Sequence, residues 1–360
     1  MKGYFITLLL LIGCQFSYAQ SLYQITGRIK NANGEALESA TVFLNGSSQQ
    51  TLTNKNGEFK FLKLSSGTYQ LVISMVGYEP LKESFDIQAG SLAKTYTLQE
   101  RRITLNEVII GNKSRRNKHF KTFFDNFIGT SENAQSCKIL NPEIIEYTTN
   151  GTVLEASSPD FLIIENNDLG YTIKYLISYF KFDSKSNVTN YDGECVFEIM
   201  KGTPNKESNW NANRKFAYRG SFMHYLRSVY AGNSDTEGFS THHMDPLSDP
   251  PKIEQALVDM SRYVLRMDNN FAELKFKKQL HVSYSNRPAR PPVSKRGVSK
   301  LAKPTELVVD NTVSYFKLHL DRTIIDSKGN YENYRSFWID GRWGRMRIGD
   351  RLPFEYVPEQ

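Results

Sequence analysis

Apolar and polar residues alternate in short runs from Tyr23 onward, and each run stops at a cluster of turn-forming residues. Tyr23, Ile25 and Ile29 share one side of a first strand, and Asn31-Ala32-Asn33-Gly34-Glu35 then reverses the chain, Gly34 accepting a positive φ that a Cβ resists. Residues 40–44 form a second strand that stops at Asn45-Gly46, a turn dipeptide. A polar turn over 53–59 leads into Phe59 and Phe61, residues 67–74 are a long apolar strand, and 81–87 and 93–98 complete the set. About seven short strands with turn signals at this spacing predict a β-sandwich.

The period changes further along. Phe120, Phe123, Phe124 and Phe127 recur at i, i+3, i+4 and i+7, which predicts an amphipathic helix packing its aromatic face on the next domain, with a membrane-surface helix as the alternative. Residues 144–147, 152–156 and 161–164 read as strands. Tyr171, Ile173, Tyr175, Ile177 and Tyr179 then alternate along one long strand, with 195–198 on another. Such a row packs against a neighbouring layer; the alternative is an exposed row that binds glycans. Between 205 and 232 the pattern suits two helices broken at Gly220-Ser221, with Ser221 capping the second. Strands resume at 306–320 and 322–326, Lys328-Gly329-Asn330 is a turn, and 337–343 is a last aromatic segment. The expected fold class is mainly β, of the α+β kind: a seven-stranded prealbumin-like β-sandwich, then a mixed β-rich domain with a helical insert.

Length and composition agree with two domains. At 360 residues with 39% hydrophobic content the chain can bury more than one core, and 20 Tyr and 22 Phe favour strands. Lys2, the apolar run 5–12 and Ser17-Tyr18-Ala19 before Gln20 have the layout of an export signal, so residues 1–19 are expected to be removed. Leu11-Ile12-Gly13-Cys14 also fits a lipoprotein cleavage pattern through Cys14, the alternative anchor. The apolar run is shorter than the roughly 20 residues a membrane span needs, and no later stretch approaches that length. The expected compartment is the periplasm or the outer-membrane surface. The expected boundaries are a sandwich over 20–99, a linker strand and basic linker over 100–118, and an α+β domain over 119–360.

Loss of Lys2 takes the formal net charge from +7 to +6. Arg287, Arg290, Lys295, Arg296, Lys300 and Lys303 supply six positive charges without an acid inside 286–304, a proline-rich stretch, so the rest of the mature chain is formally neutral. That segment reads as an open, solvated loop, and as a candidate contact for anionic lipid or lipopolysaccharide. Export argues against nucleic acid as its partner.

The order Ile25-Thr26-Gly27-Arg28, Asn33-Gly34-Glu35-Ala36-Leu37, Ala40-Thr41-Val42, Thr53-Asn54-Lys55-Asn56-Gly57-Glu58-Phe59, Gly67-Thr68-Tyr69 and Gly77-Tyr78 resembles the carboxypeptidase-regulatory-like domain, a transthyretin-like sandwich common in exported Bacteroidetes proteins. The resemblance implies a folding or interaction module without peptidase chemistry. Residues 104–110 look like the strand that follows this sandwich in TonB-dependent outer-membrane receptors. Too little chain remains for such a barrel, and its run of amphipathic strands is missing. Asn213 to Ser221, His224 to Arg227, Cys137 to Pro142, Leu169 to Tyr171 and Leu352 to Tyr356 are similar to the C-terminal region of Bacteroidetes proteins that begin with the same sandwich. That resemblance carries no activity with it.

Candidate chemistry is sparse. A zinc carboxypeptidase site needs closely spaced His and Glu and a distant His, and no His here precedes a Glu by three positions. His-Glu-x-x-His, Gly-x-Ser-x-Gly and the Gly-Lys-Ser/Thr phosphate loop are absent. His242, His243 and Asp245 are the weak metal candidates, since adjacent strand residues point to opposite faces and Pro246, Pro250 and Pro251 suggest a rigid loop. Cys137 and Cys195, the pair left in the mature chain, are candidates for a disulfide or for two separate buried thiols. No cofactor is expected. The sequence thus points to a non-catalytic envelope protein, a binding or assembly component with an envelope protein or glycan as partner. The alternative is an envelope hydrolase acting on glycans or peptides through carboxylates of the second domain.

Overall fold

The computed structural model describes residues 23–87, 92–101, 113–268, 270–285, 313–332 and 334–359. The expected export signal, the 104–110 strand and the six basic residues between Arg287 and Lys303 lie outside the described residues.

The first seven strands are β1 (Tyr23–Lys30), β2 (Thr41–Leu44), β3 (Gln50–Leu52), β4 (Glu58–Leu64), β5 (Gly67–Ser74), β6 (Leu81–Ile87) and β7 (Leu92–Thr97). They form two sheets, β4-β1-β7 and β3-β2-β5-β6. Alternation sends Ile25, Ile29, Phe59, Phe61, Leu71 and Ile73 into one core, none of them more than 4% exposed. Gly27 faces the same core. A Cβ there would fall 2.5 Å from the Phe59 ring, so only glycine lets that ring lie across β1.

Next come α1 (Lys113–Phe127), α2 (Glu132–Gln135), β8 (Cys137–Ile139), β9 (Glu146–Asn150), β10 (Val153–Ser157), β11 (Leu162–Asn166), β12 (Tyr171–Asp183) and β13 (Val188–Ile199). The strands make a six-stranded sheet in the order β8-β11-β12-β10-β9, with β13 also paired to β12. The basic stretch read as linker up to Lys118 is helical from Lys113, and Arg116 donates to the carbonyls of Pro142, Glu143 and Ile145. Phe123 and Phe127 of α1 are fully buried, edge-on to Phe180 and Tyr175 with centroids 4.9 Å apart in each pair. Tyr171, Ile173, Tyr175 and Ile177 face this core, but a register shift between Ile177 and Tyr179 resets the phase. Tyr179 therefore turns outward and Phe180 takes the core position, as a β-bulge allows.

The other face of this sheet is covered by the sandwich. Phe43 and Val72, outward from the sandwich core, bury completely against Leu176 and Val196. Each such side chain contributes about 1.5–3 kcal/mol by leaving water. The turn at 45–48 is stitched in as well: Gly46 N–H donates to the Cys195 carbonyl at 2.7 Å, Phe197 N–H to the Ser47 carbonyl at 2.8 Å, and Phe354 N–H to the Gly46 carbonyl at 2.9 Å. Gly46 has φ +71, and a Cβ would fall 2.3 Å from the Phe354 ring. Lys82 and Glu194 close the joint with an ion pair at 2.5 Å.

A further core gathers around α3 (Pro204–Tyr218), α4 (Phe222–Ala231), β14 (Phe239–Asp245), β15 (Lys252–Leu257), β16 (Val264–Arg266), β17 (Phe271–Leu274), β18 (Gln279–Tyr284), β19 (Val313–Leu318), β20 (Thr323–Asp326), β21 (Phe337–Gly341) and α5 (Arg342–Arg345). The strands make a five-stranded sheet, β15-β14-β18-β19-β21, and a three-stranded one, β16-β17-β20. Tyr225, Leu226 and Val229 of α4 fill the space between them. Ser221 caps α4, accepting the His224 N–H at 3.1 Å, and Gly232 ends it at φ +73. The expected rigid loop at 242–251 is instead mostly strand: the ladder to β18 holds His242 and His243 in β14, and the prolines fall in the connection to β15.

Candidate functional site

The free side of the sandwich is the outer face of β4-β1-β7, opposite the face docked on β12 and β13. A groove of about 740 Å³ lies there, floored by Thr26 and Arg28 of β1, with Glu58 and Lys60 of β4 on one side and Thr95 of β7 on the other. Leu52 of β3, 61% exposed, forms an apolar rim. Strand alternation that buries Ile25, Gly27 and Ile29 places Thr26 and Arg28 here. Arg28 Nε donates to the Asn56 carbonyl at 2.9 Å, which steadies the guanidinium, and Glu58 accepts from Asn54 Nδ2 at 3.0 Å. Lys94 is held by Glu83 at 2.5 Å, whereas Lys60 makes no ion pair among the described residues. The groove combines two cations, hydroxyls and an apolar rim. That arrangement binds and orients; it holds a single acid and no nucleophile–base pair.

The sequence-predicted site residues are scattered. His242 Nδ1 lies 3.0 Å from the Glu254 carbonyl on one face of β14, while His243 Nε2 meets the Tyr263 hydroxyl at 3.1 Å on the other. Asp245 turns to the strand end and accepts from the Leu247 N–H. The three do not converge, and no group of three or more His, Cys, Asp or Glu side chains suited to a metal occurs among the described residues.

Cys137 and Cys195 are both buried, unbridged thiols. Cys137 sits on β8 and Cys195 on β13, with β11 and β12 between them. Three strand spacings amount to about 14 Å, and a disulfide needs Cα atoms within about 7 Å. The predicted bridge is therefore excluded by position in the sheet. Burial pushes the Cys137 thiol up to about 12, helped by the Asp350 and Asp168 carboxylates, and burial likewise raises Cys195. Neither is a poised nucleophile.

The buried carboxylates each have a structural task. Glu194 pairs with Lys82, Asp326 accepts the N–H groups of Lys328 and Asn330 at 2.8 and 2.9 Å, Asp350 accepts from Asn133 Nδ2 at 2.9 Å, and Glu355 accepts the Ser48 N–H at 3.3 Å. His224 packs among Tyr218, Phe239 and Tyr284, its Nδ1 accepting the Gly220 N–H and its Nε2 facing Glu237. Burial lowers its pKa despite that carboxylate. The Arg214 and Arg227 side chains of the distinctive helical text donate to backbone carbonyls at 169–170 and at 328, 354 and 356, so they staple the lobes. The groove had a sequence signal in alternation: Thr26, Arg28, Glu58 and Lys60 are the polar half of two strands, but their side of the sandwich had no assigned role.

Residues 25–110, about a quarter of the chain, match the CarboxypepD_reg-like domain, which agrees with the sandwich and its seven strands. No curated protein matches the chain. Among solved structures, a DUF3823 family protein from Bacteroides ovatus aligns at 11% identity over 51% of this chain and 83% of its own, with a TM-score of 0.19. A minor pilin of Streptococcus agalactiae aligns at 13% identity over 24% of this chain and 48% of its own, TM-score 0.20. A chain of a type II cohesin–X–dockerin complex from Acetivibrio cellulolyticus aligns at 20% identity over 20% of this chain, TM-score 0.18, and the match spans about half, 52%, of that chain. None of these superpositions bears on what the chain does. No helix among the described residues is long and apolar enough to cross a membrane.

Proposed function

We propose that the chain is a non-catalytic binding or assembly component of the bacterial envelope, in which residues 119–360 carry the sandwich at a fixed angle and the groove takes an extended, anionic partner. The observation that carries this reading is the asymmetry of the sandwich. One of its faces is buried on β12 and β13, and the opposite face holds the groove of about 740 Å³ with Arg28 and Lys60. A module anchored on one side presents the other without orientational slack, which favours binding. The test is capture from an envelope extract by the mature chain and by its Arg28→Ala/Lys60→Ala variant. Recovery of one partner that falls about tenfold in the variant and declines with salt is expected. Equal recovery by both chains removes the groove from the reading, and hydrolysis of envelope glycans or peptides by the wild type replaces it with the enzymatic one.

A further inference from the structure

The five-stranded sheet has one face on its core and another that no described element covers. Thr241, Val282 and Phe316 point inward and are buried, whereas every residue on the other face of β14, β18, β19 and β21 is half-buried or exposed. That outer face is not the usual lawn of short polar side chains. Cross-strand register lines up His242, His281 and Tyr315 as one row of rings, with centroids 6.1 and 5.5 Å apart. The adjacent row brings together Met244, Gln279, Lys317 and Trp338: Gln279 Nε2 lies 3.6 Å from Met244 Sδ, and Lys317 Nζ is 5.4 Å from the centroid of the Trp338 ring. Asp340 follows Tyr315 in register on β21.

We infer that this face is a glycan-binding platform, the Tyr315 and Trp338 rings stacking on the C–H faces of sugar rings while Gln279, Lys317 and Asp340 bond their hydroxyls. A sugar chain offers apolar C–H faces and hydroxyls at short, repeating intervals, and two adjacent rows that mix rings with polar groups match that alternation. A protein partner fits less well, because the centre of a protein interface is depleted of lysine and acids, and here Lys317 and Asp340 stand beside the rings. Side chains on paired strands are also held in place before a ligand arrives, which limits the ordering that binding requires.

Affinity electrophoresis of the mature chain through gels containing mannan, xylan, dextran or glycol chitin tests this. At least one polysaccharide should retard the wild type, and Trp338→Ala and Tyr315→Ala should each weaken the retardation about tenfold, with Trp338→Phe retaining most of it. The Arg28→Ala/Lys60→Ala variant should be retarded like the wild type, which separates this face from the sandwich groove. If Trp338→Ala fails to fold, Tyr315→Ala alone decides. Free migration of the wild type in all four gels, or retardation unchanged by both ring variants, overturns the proposal.

Discussion

The two large sheets begin from the same pattern and end in opposite surroundings. β12 carries a row of rings and aliphatics at period two, and so do β18 and β19. The six-stranded sheet is covered on both sides, by α1 with its Phe123 and Phe127 and by the sandwich with its Phe43 and Val72. The five-stranded sheet is covered on one side, and its second row of rings stands among Lys317, Gln279 and Asp340. The difference teaches that a period-two aromatic row shows only that a face is suited to contact. Whether the contact is made within the chain is decided by residues far away in sequence.

Substitutions sharpen that contrast. Phe127→Ala removes a fully buried ring from the covered sheet and should lower stability by about 3–5 kcal/mol in urea unfolding; a loss below about 1 kcal/mol would mean α1 is not seated there. Gly46→Ala acts on the other cover, forcing a Cβ into the Phe354 ring at a positive φ. It should lower stability by about 1–3 kcal/mol and expose the 352–359 tail to limited proteolysis, and an undisturbed tail would argue against the joint. Glu194 gives a pH signature in the same joint. Burial holds its carboxyl above the ordinary 4.5, with Lys82 offsetting part of the rise. The folded chain thus keeps this proton more tightly than the unfolded one. The associated stability is complete in acid and is lost as pH climbs from 4.5 through the raised native value. Glu194→Gln should flatten that stretch of the stability–pH curve, and parallel curves for the two proteins would contradict it. The smallest effect belongs to the open sheet: Tyr315→Ala should change the unfolding midpoint by no more than about 0.5 kcal/mol, and a larger loss would show that something covers the face.

Much of this architecture is legible in local pattern. The sandwich strands, the aromatic helix, the long β12 and the Ser221 cap follow from periodicity and turn chemistry over a dozen residues or fewer. The groove follows less directly, because alternation says that Thr26 and Arg28 face away from Ile25 without saying which outer face is left free. Phe43 and Val72 read as ordinary members of apolar strands, and nothing near them announces that they dock on Leu176 and Val196. Prolines at 246, 250 and 251 hid β14, since the ladder that makes His242 a strand residue is supplied by β18, about 40 residues on. The cysteine pair misled for a similar reason: an even count is a property of composition, while bridging depends on strand order.

The tail at 352–359 has a consequence for how the molecule is assembled. The hydrogen bond from Ser48 to Glu355 joins residues 307 positions apart, and Phe354 closes over Gly46 beside it. A chain emerging from its N-terminal end folds its early domains first, so the sandwich is complete long before the segment that clasps it exists. Until then Phe43 and Val72 stand uncovered on a finished module. The clasp is therefore the last step of maturation, and a chain stalled before residue 352 would present an apolar, adhesive face that the finished protein hides.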